Sequence, residues 1–169
     1  MRIWKKYLLD LGLSDQMYGL IVSIAGVGAL LGAVASAAFA KRFSLQMYLG
    51  IGMILTAVGY LLFYSAVGFL TATGAFIFLG FFMTFGNAGY DTFYQKNVPT
   101  TIMGRFGSLA SMFQSLLQIV FTFILGLVSE WFSLQMVAIG FASIAVFVTL
   151  ILCIQIVSKQ HKQYYEEVN

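Results

Sequence analysis

Charge is the scarcest commodity in this sequence. Of 169 residues, nine are lysine or arginine and six are aspartate or glutamate, so 9% are charged. A soluble domain carries about a quarter, and a water-soluble fold is thereby excluded. Proline, cysteine and histidine occur once each. A single cysteine, Cys153, rules out a disulfide framework and a cysteine metal site. His161 has no second histidine or cysteine near it and is read neither as a ligand nor as a base. The scattered acids form no set of nucleophile, base and orienting group, so no enzyme, cofactor or metal site is expected. The basic start at Arg2, Lys5 and Lys6 is interrupted by Asp10 and Asp15 before any apolar core, so no cleavable signal is read.

What the chain has is long apolar runs. No Asp, Glu, Lys, Arg or His occurs in 16–40, 43–90, 106–129 or 131–157. Each run exceeds the ~20 apolar residues that a helix needs to cross a bilayer. The expectation is an all-α integral membrane protein with five transmembrane helices, near 16–40, 44–67, 71–94, 105–128 and 133–157. Residues 1–15 read as an external lead-in left from a missing helix, 16–157 as the five-helix domain, and 158–169 as a polar cytoplasmic tail. The 43–90 run is too long for one span; the stretch from Gly68 to Gly74, with two glycines and two threonines, is the expected turn. Pro99, the only proline, is read as closing the third span.

Basic residues orient the spans. Lys41 and Arg42 follow the first, Lys96, Gly104 and Arg105 belong to the expected loop after the third, and Lys159 and Lys162 follow the fifth. The other two turns hold no lysine or arginine, so the basic side is cytoplasmic by the positive-inside rule. The basic N-terminus then falls on the wrong side. A repeat resolves this conflict: Phe43-Ser44-Leu45-Gln46-Met47 recurs as Phe132-Ser133-Leu134-Gln135-Met136, a shift of 89 positions. The shift carries the first two spans onto the last two and reverses their membrane face. This reads as an incomplete inverted three-plus-three helix repeat of a transporter half, with its first helix expected before Met1.

Three stretches carry a family resemblance. Leu11-Gly12-Leu13-Ser14-Asp15-Gln16-Met17-Tyr18-Gly19-Leu20 is similar to the entry into the eighth helix of major facilitator superfamily transporters. Gly28-Ala29-Leu30-Leu31-Gly32, with Ala40-Lys41-Arg42 after it, is similar to that helix and its cytoplasmic stop. Gln95-Lys96-Asn97-Val98-Pro99 and Gly104-Arg105-Phe106-Gly107-Ser108-Leu109 resemble the loop between the tenth and eleventh helices of bacterial drug and macrolide exporters. The resemblance implies that the five spans match the family's eighth to twelfth helices and that the function is proton-coupled transport.

Candidate site residues lie on three spans. Gly28, Gly32 and Ser36 recur at four-residue steps, a spacing that lets helix backbones approach closely in lipid. Gly26-Val27-Gly28 superficially matches a nucleotide-binding glycine loop, but no strand precedes it. On the third span Thr73, Gly80, Thr84, Asn87 and Asp91 share one helical face. Asp91 is the only carboxylate on any span; it is either a proton or substrate contact or a structural ion pair with Lys96 or Arg105. On the fourth, Ser108, Ser111, Ser115, Gln118 and Thr122 form a polar stripe flanked by Gln114. Such a face belongs against protein or a water-filled cavity rather than lipid. Thr84, Asn87, Asp91, Ser111, Gln114, Ser115, Gln118 and Thr122 are the expected substrate pathway.

The expected function is the C-terminal part of an alternating-access exporter for small hydrophobic or amphipathic compounds in a bacterial cytoplasmic membrane. Its expected partners are the lipid bilayer, a small-molecule substrate, and a missing N-terminal half or another copy, with no nucleic acid. The alternative is a non-transporting membrane protein, either a truncated gene product or a partner subunit.

Overall fold

The computed structural model describes Gly12, residues 14–39, Arg42 and residues 44–157. They form α1 (Asp15–Phe39), α2 (Leu45–Tyr64), α3 (Phe69–Asn97), α4 (Thr100–Val128) and α5 (Leu134–Val157). All five are long and apolar enough to cross a membrane, and no strand occurs among the described residues. The all-α, five-span expectation matches this architecture. The expected tail, most of the lead-in, and Lys41 lie outside the described residues.

Two connections differ from expectation. The first turn is shorter and earlier than the Gly68 to Gly74 stretch. Above Tyr64 the amides of Ser65 and Ala66 fold back onto the Leu61 and Phe63 carbonyls at 3.0 and 3.2 Å, closing α2 three residues early. Gly68 then starts α3, because Thr71 Oγ1 accepts from the Gly68 amide at 3.1 Å and donates to its carbonyl at 2.9 Å. Thr73 and Gly74 are helical.

The second connection is only Val98 and Pro99. Pro99 begins a helix instead of merely ending one: its carbonyl accepts the Ile102 and Met103 amides, both at 3.1 Å. The first amides of a helix have no intrahelical partner, so the N–H that proline lacks is not missed there. Lys96, Gly104 and Arg105 are therefore not loop residues. Lys96 lies in the last turn of α3, and Gly104 and Arg105 lie near the start of α4. Helix length explains how charge fits there. At ~1.5 Å per residue, the 29 residues of each helix reach ~43 Å, beyond the ~30 Å of hydrocarbon.

The repeated pentapeptide is a repeated helix start. Ser44 Oγ accepts from the Met47 amide at 3.4 Å, and Ser133 Oγ accepts from the Met136 amide at 3.3 Å. The next residue is buried in both copies, Leu45 at 4% and Leu134 at 9% exposure. The Gln135 amide nitrogen donates to the Tyr64 carbonyl at 3.2 Å, so α5 begins where α2 ends. The two copies thus start helices of opposite direction.

α3 is the centre of the packing, with α1 and α2 both laid against it; α2 also packs on α5, while α4 touches α5 only lightly. Glycine makes the α1–α3 contact close. A Cβ at Gly28 or Gly32 would run into the Ile77 or Phe81 carbonyl oxygen, and one at Gly80 would lie 2.7 Å from that of Ala25. Ser36 is buried one turn beyond Gly32, where its hydroxyl donates to the Gly32 carbonyl at 2.8 Å. On the other side, α2 meets α3 where Gly52 faces Gly86. The buried cluster of Ile21, Phe63, Ala66, Ala72, Phe76, Leu79 and Leu134 closes the end of the bundle opposite Arg42. There the rings of Phe63 and Phe76 stack with centroids 4.7 Å apart.

Candidate functional site

Four helices leave an open cavity of about 800 Å³ between them. Each contributes residues at helical spacing, which is how straight helices present one face. From α3 come Met83, Gly86, Asn87, Tyr90 and Asp91; from α2, Gly52, Met53, Thr56, Ala57 and Tyr60. α4 supplies Ala110 and Gln114, and α5 supplies Ala145 and Thr149. The close Gly52–Gly86 contact forms the floor where α2 and α3 meet, and the walls diverge from there toward α4 and α5.

The lining is mostly apolar, with a few polar groups spread around it. Thr149 Oγ1 donates to the Ala145 and Val146 carbonyls at 2.8 and 2.9 Å, so it offers the cavity only an acceptor. Asn87 and Gln114 carry amides from facing helices and can both donate and accept. Among the described residues Asp91 is the only charged side chain in the lining. It sits six residues before the end of α3, about 9 Å along the axis at ~1.5 Å per residue. The ion pair considered for it does not form: among the described residues neither Lys96 nor Arg105 bridges to Asp91. Five residues of helix separate it from Lys96, which turns the two side chains away from each other.

Of the expected pathway residues, the structure brings together Asn87, Asp91 and Gln114 in this cavity. Thr84 lies outside it, with its hydroxyl donating to the Gly80 carbonyl at 3.0 Å. Ser111, Ser115, Gln118 and Thr122 are also outside it and exposed. Ser108 and Ser115 donate to their own helix, to the Gly104 and Ser111 carbonyls at 2.9 and 2.8 Å, and not to a neighbour. α4 has no buried residue along its whole length, so most of its polar stripe meets no described helix. Its anchor lies at the α3–α4 corner. There Tyr94 Oη donates to the Met103 carbonyl, and the Tyr94 and Phe106 rings lie 5.9 Å apart. Gly107 makes room for that hydroxyl.

Sequence reasoning missed Thr56 and Tyr60 on α2 and Thr149 on α5, each flanked in sequence by apolar residues. A signal for α2 was present in the steps of four from Gly52 to Thr56 to Tyr60. A second, smaller depression between α1, α2 and α3 is lined, among the described residues, by apolar side chains that include Phe81, Phe82 and Phe85.

The family model for the major facilitator superfamily matches residues 3–166, nearly the whole chain. The chain belongs to the major facilitator superfamily. No curated protein and no solved structure matches it. As a member of this superfamily, the protein is a multi-pass membrane protein of the transport class, and its five helices are spans of such a transporter. The cavity between α2, α3, α4 and α5 brings together polar groups from four helices of this major facilitator chain.

Proposed function

We propose that this chain forms part of an exporter that moves small hydrophobic or amphipathic compounds across a bacterial cytoplasmic membrane by alternating access, with protons moving in the opposite direction. The observation that carries the reading is the cavity of about 800 Å³, in which Asn87, Gln114 and Asp91 stand among methionine, alanine and tyrosine. An apolar lining with a few placed polar groups suits a ligand that is mostly hydrocarbon with one or two polar atoms. The residues that line it are the pathway in this reading, and a drug or macrolide is the kind of compound that fits such a surface. The basic residues Arg42, Lys96 and Arg105 gather at one end, which supports placing that end in the cytoplasm.

The uncovered polar face of α4 supports a partner. In this reading Ser111, Ser115, Gln118 and Thr122 face further helices, either the N-terminal half of a major facilitator transporter or another copy. The test is reconstitution in vesicles with a proton gradient, using a lipophilic dye. The 169-residue chain alone is expected to be silent, and the same chain joined to an N-terminal half is expected to export. Leucine at Asn87 or Gln114 should reduce export in the joined form. Export unaffected by both substitutions would remove the cavity from the pathway.

A further inference from the structure

We propose that the groove between α1, α2 and α3 holds one acyl chain of an anionic phospholipid whose phosphate rests on Arg42. Each of the three helices lends a turn to it: Ala35 to Phe39, Met47 to Ile51 and Phe81 to Phe85. The groove shares no described lining residue with the four-helix cavity, so the site stands apart from the transport pathway proposed above. Its volume is about 240 Å³, below the ~300–1,000 Å³ of pockets that take drug-sized ligands. That space suits a single chain and is too small for a ring system.

The walls are set before any lipid arrives. Phe85 is buried with its ring stacked 4.5 Å from that of Tyr48, and the Phe81 ring lies 6.4 Å from it, tilted by 9°. Rings held in this way form a firm concave surface. Such a surface touches more of a chain than a flat helix face does, and packing contact is what drives association in lipid. Phe39, Met47 and Ile51 are exposed at the rim, so the groove opens to the outside of the bundle.

The charge beside the rim decides the occupant. The Arg42 amide donates to the Phe39 carbonyl at 2.8 Å, which ties the turn carrying Arg42 to a residue of the groove. Arg42 is exposed, and a guanidinium matches phosphate through paired N–H groups. Ser44, exposed two residues on, adds a hydroxyl that can donate. A turn of helix rises ~5.4 Å, so the lining lies just below Arg42, at the depth of the first methylenes of a lipid whose headgroup rests there. A neutral detergent or a free phosphate uses only half of this arrangement. An anionic phospholipid uses both halves.

The test is native mass spectrometry of the purified 169-residue chain in maltoside micelles. It is titrated with phosphatidylglycerol and phosphatidylcholine of identical chains, and with glycerol 3-phosphate. The first phosphatidylglycerol is expected to bind about fivefold tighter than phosphatidylcholine, the preference that one basic group gives, and glycerol 3-phosphate is expected not to bind. Arg42→Gln should weaken phosphatidylglycerol about fivefold and leave phosphatidylcholine within twofold. Arg105→Gln, at the same end but on α4, should leave both within twofold. Ala35→Trp and Ile51→Trp fill the groove from different helices, and each should weaken both lipids at least fivefold; circular dichroism shows that the variant used is folded. Equal affinity for the two lipids, or equal losses in Arg42→Gln and Arg105→Gln, would overturn the site by reducing it to general surface charge. Undiminished phosphatidylglycerol binding in a folded tryptophan variant would place the lipid elsewhere. A dimer lost on filling the groove, with lipid binding unchanged, would assign the groove to a second copy. Either result overturns the proposal.

Discussion

Tyr48 on α2 fastens two other helices at once: its hydroxyl donates to the Ser36 carbonyl on α1 at 2.9 Å, and its ring stacks on Phe85 of α3 at 4.5 Å. The two contacts can be separated by substitution. Tyr48→Phe keeps the stack and loses the hydrogen bond, for an expected cost of about 1 kcal/mol. Tyr48→Ala loses both and leaves a void, with an expected cost of ~3–5 kcal/mol on the scale of buried aromatic truncations. Unfolding in mixed micelles of dodecyl sulfate and mild detergent gives both values. Equal losses would mean that the ring contributes nothing.

The α1–α3 seam makes a contrast within one helix. Gly32→Val drives side-chain carbon into the Phe81 backbone, which has no flexible end to yield, whereas Gly26→Val meets nothing within 4 Å. Gly32→Val should lower stability by ~1–3 kcal/mol or prevent folding, as overpacking does. Gly26→Val should stay within about 0.5 kcal/mol, the usual range for an uncrowded site. Thermal aggregation in detergent compares the pair directly. A harmless Gly32→Val would show that the helices are not in backbone contact.

Ser44 and Ser133 perform the same task at opposite ends of the bundle. Each alanine substitution should cost ~1 kcal/mol, the usual worth of an N-cap side chain. Because the sites share no partner, the double variant should lose the sum of the two within ~0.5 kcal/mol. A double variant no worse than either single one would show that only one copy of the pentapeptide supports a helix.

The turns at 65–68 and 129–133 share an end, as the Gln135–Tyr64 bond requires. In a Cys153→Ala background, Val67→Cys and Trp131→Cys occupy exposed positions, at 81% and 85%. Both should label from outside intact cells with a membrane-impermeant maleimide. Val98→Cys, at the opposite end, should label only after lysis. Labelling of all three from one side would break the helix order, and labelling of Val98→Cys alone would invert the orientation.

The number and type of helices could be read from the sequence because an uncharged run longer than a span leaves few alternatives in lipid. Connection lengths could not. A proline reads equally well as the end of one helix or the start of the next, and at Pro99 it is both. The α3 side of the cavity was legible because Asn87 and Asp91 stand four apart, on one face of a helix whose middle is mostly apolar. Ser111 and Gln114 show the limit of that method. Ser111 belongs to the stripe and Gln114 only flanks it, yet it is Gln114 that reaches the cavity, since the position of α4 depends on neighbours that its own pattern does not encode. Tyr60 escaped notice because it stands on α2 with no charged or amide residue beside it.

The pairing of α1 with α3 sets an order of assembly during synthesis. α1 rests chiefly on α3, a helix that enters the membrane only after α2 has been made. Until α3 is made, the surfaces at Gly28, Gly32 and Gly52 have none of the partners they meet on it. Arrival of α3 supplies partners to both, so the three helices gain their packing in one cooperative step. A chain truncated before Phe69 would therefore leave these glycine surfaces uncovered and open to membrane proteases, and one truncated after Asn97 would have them covered.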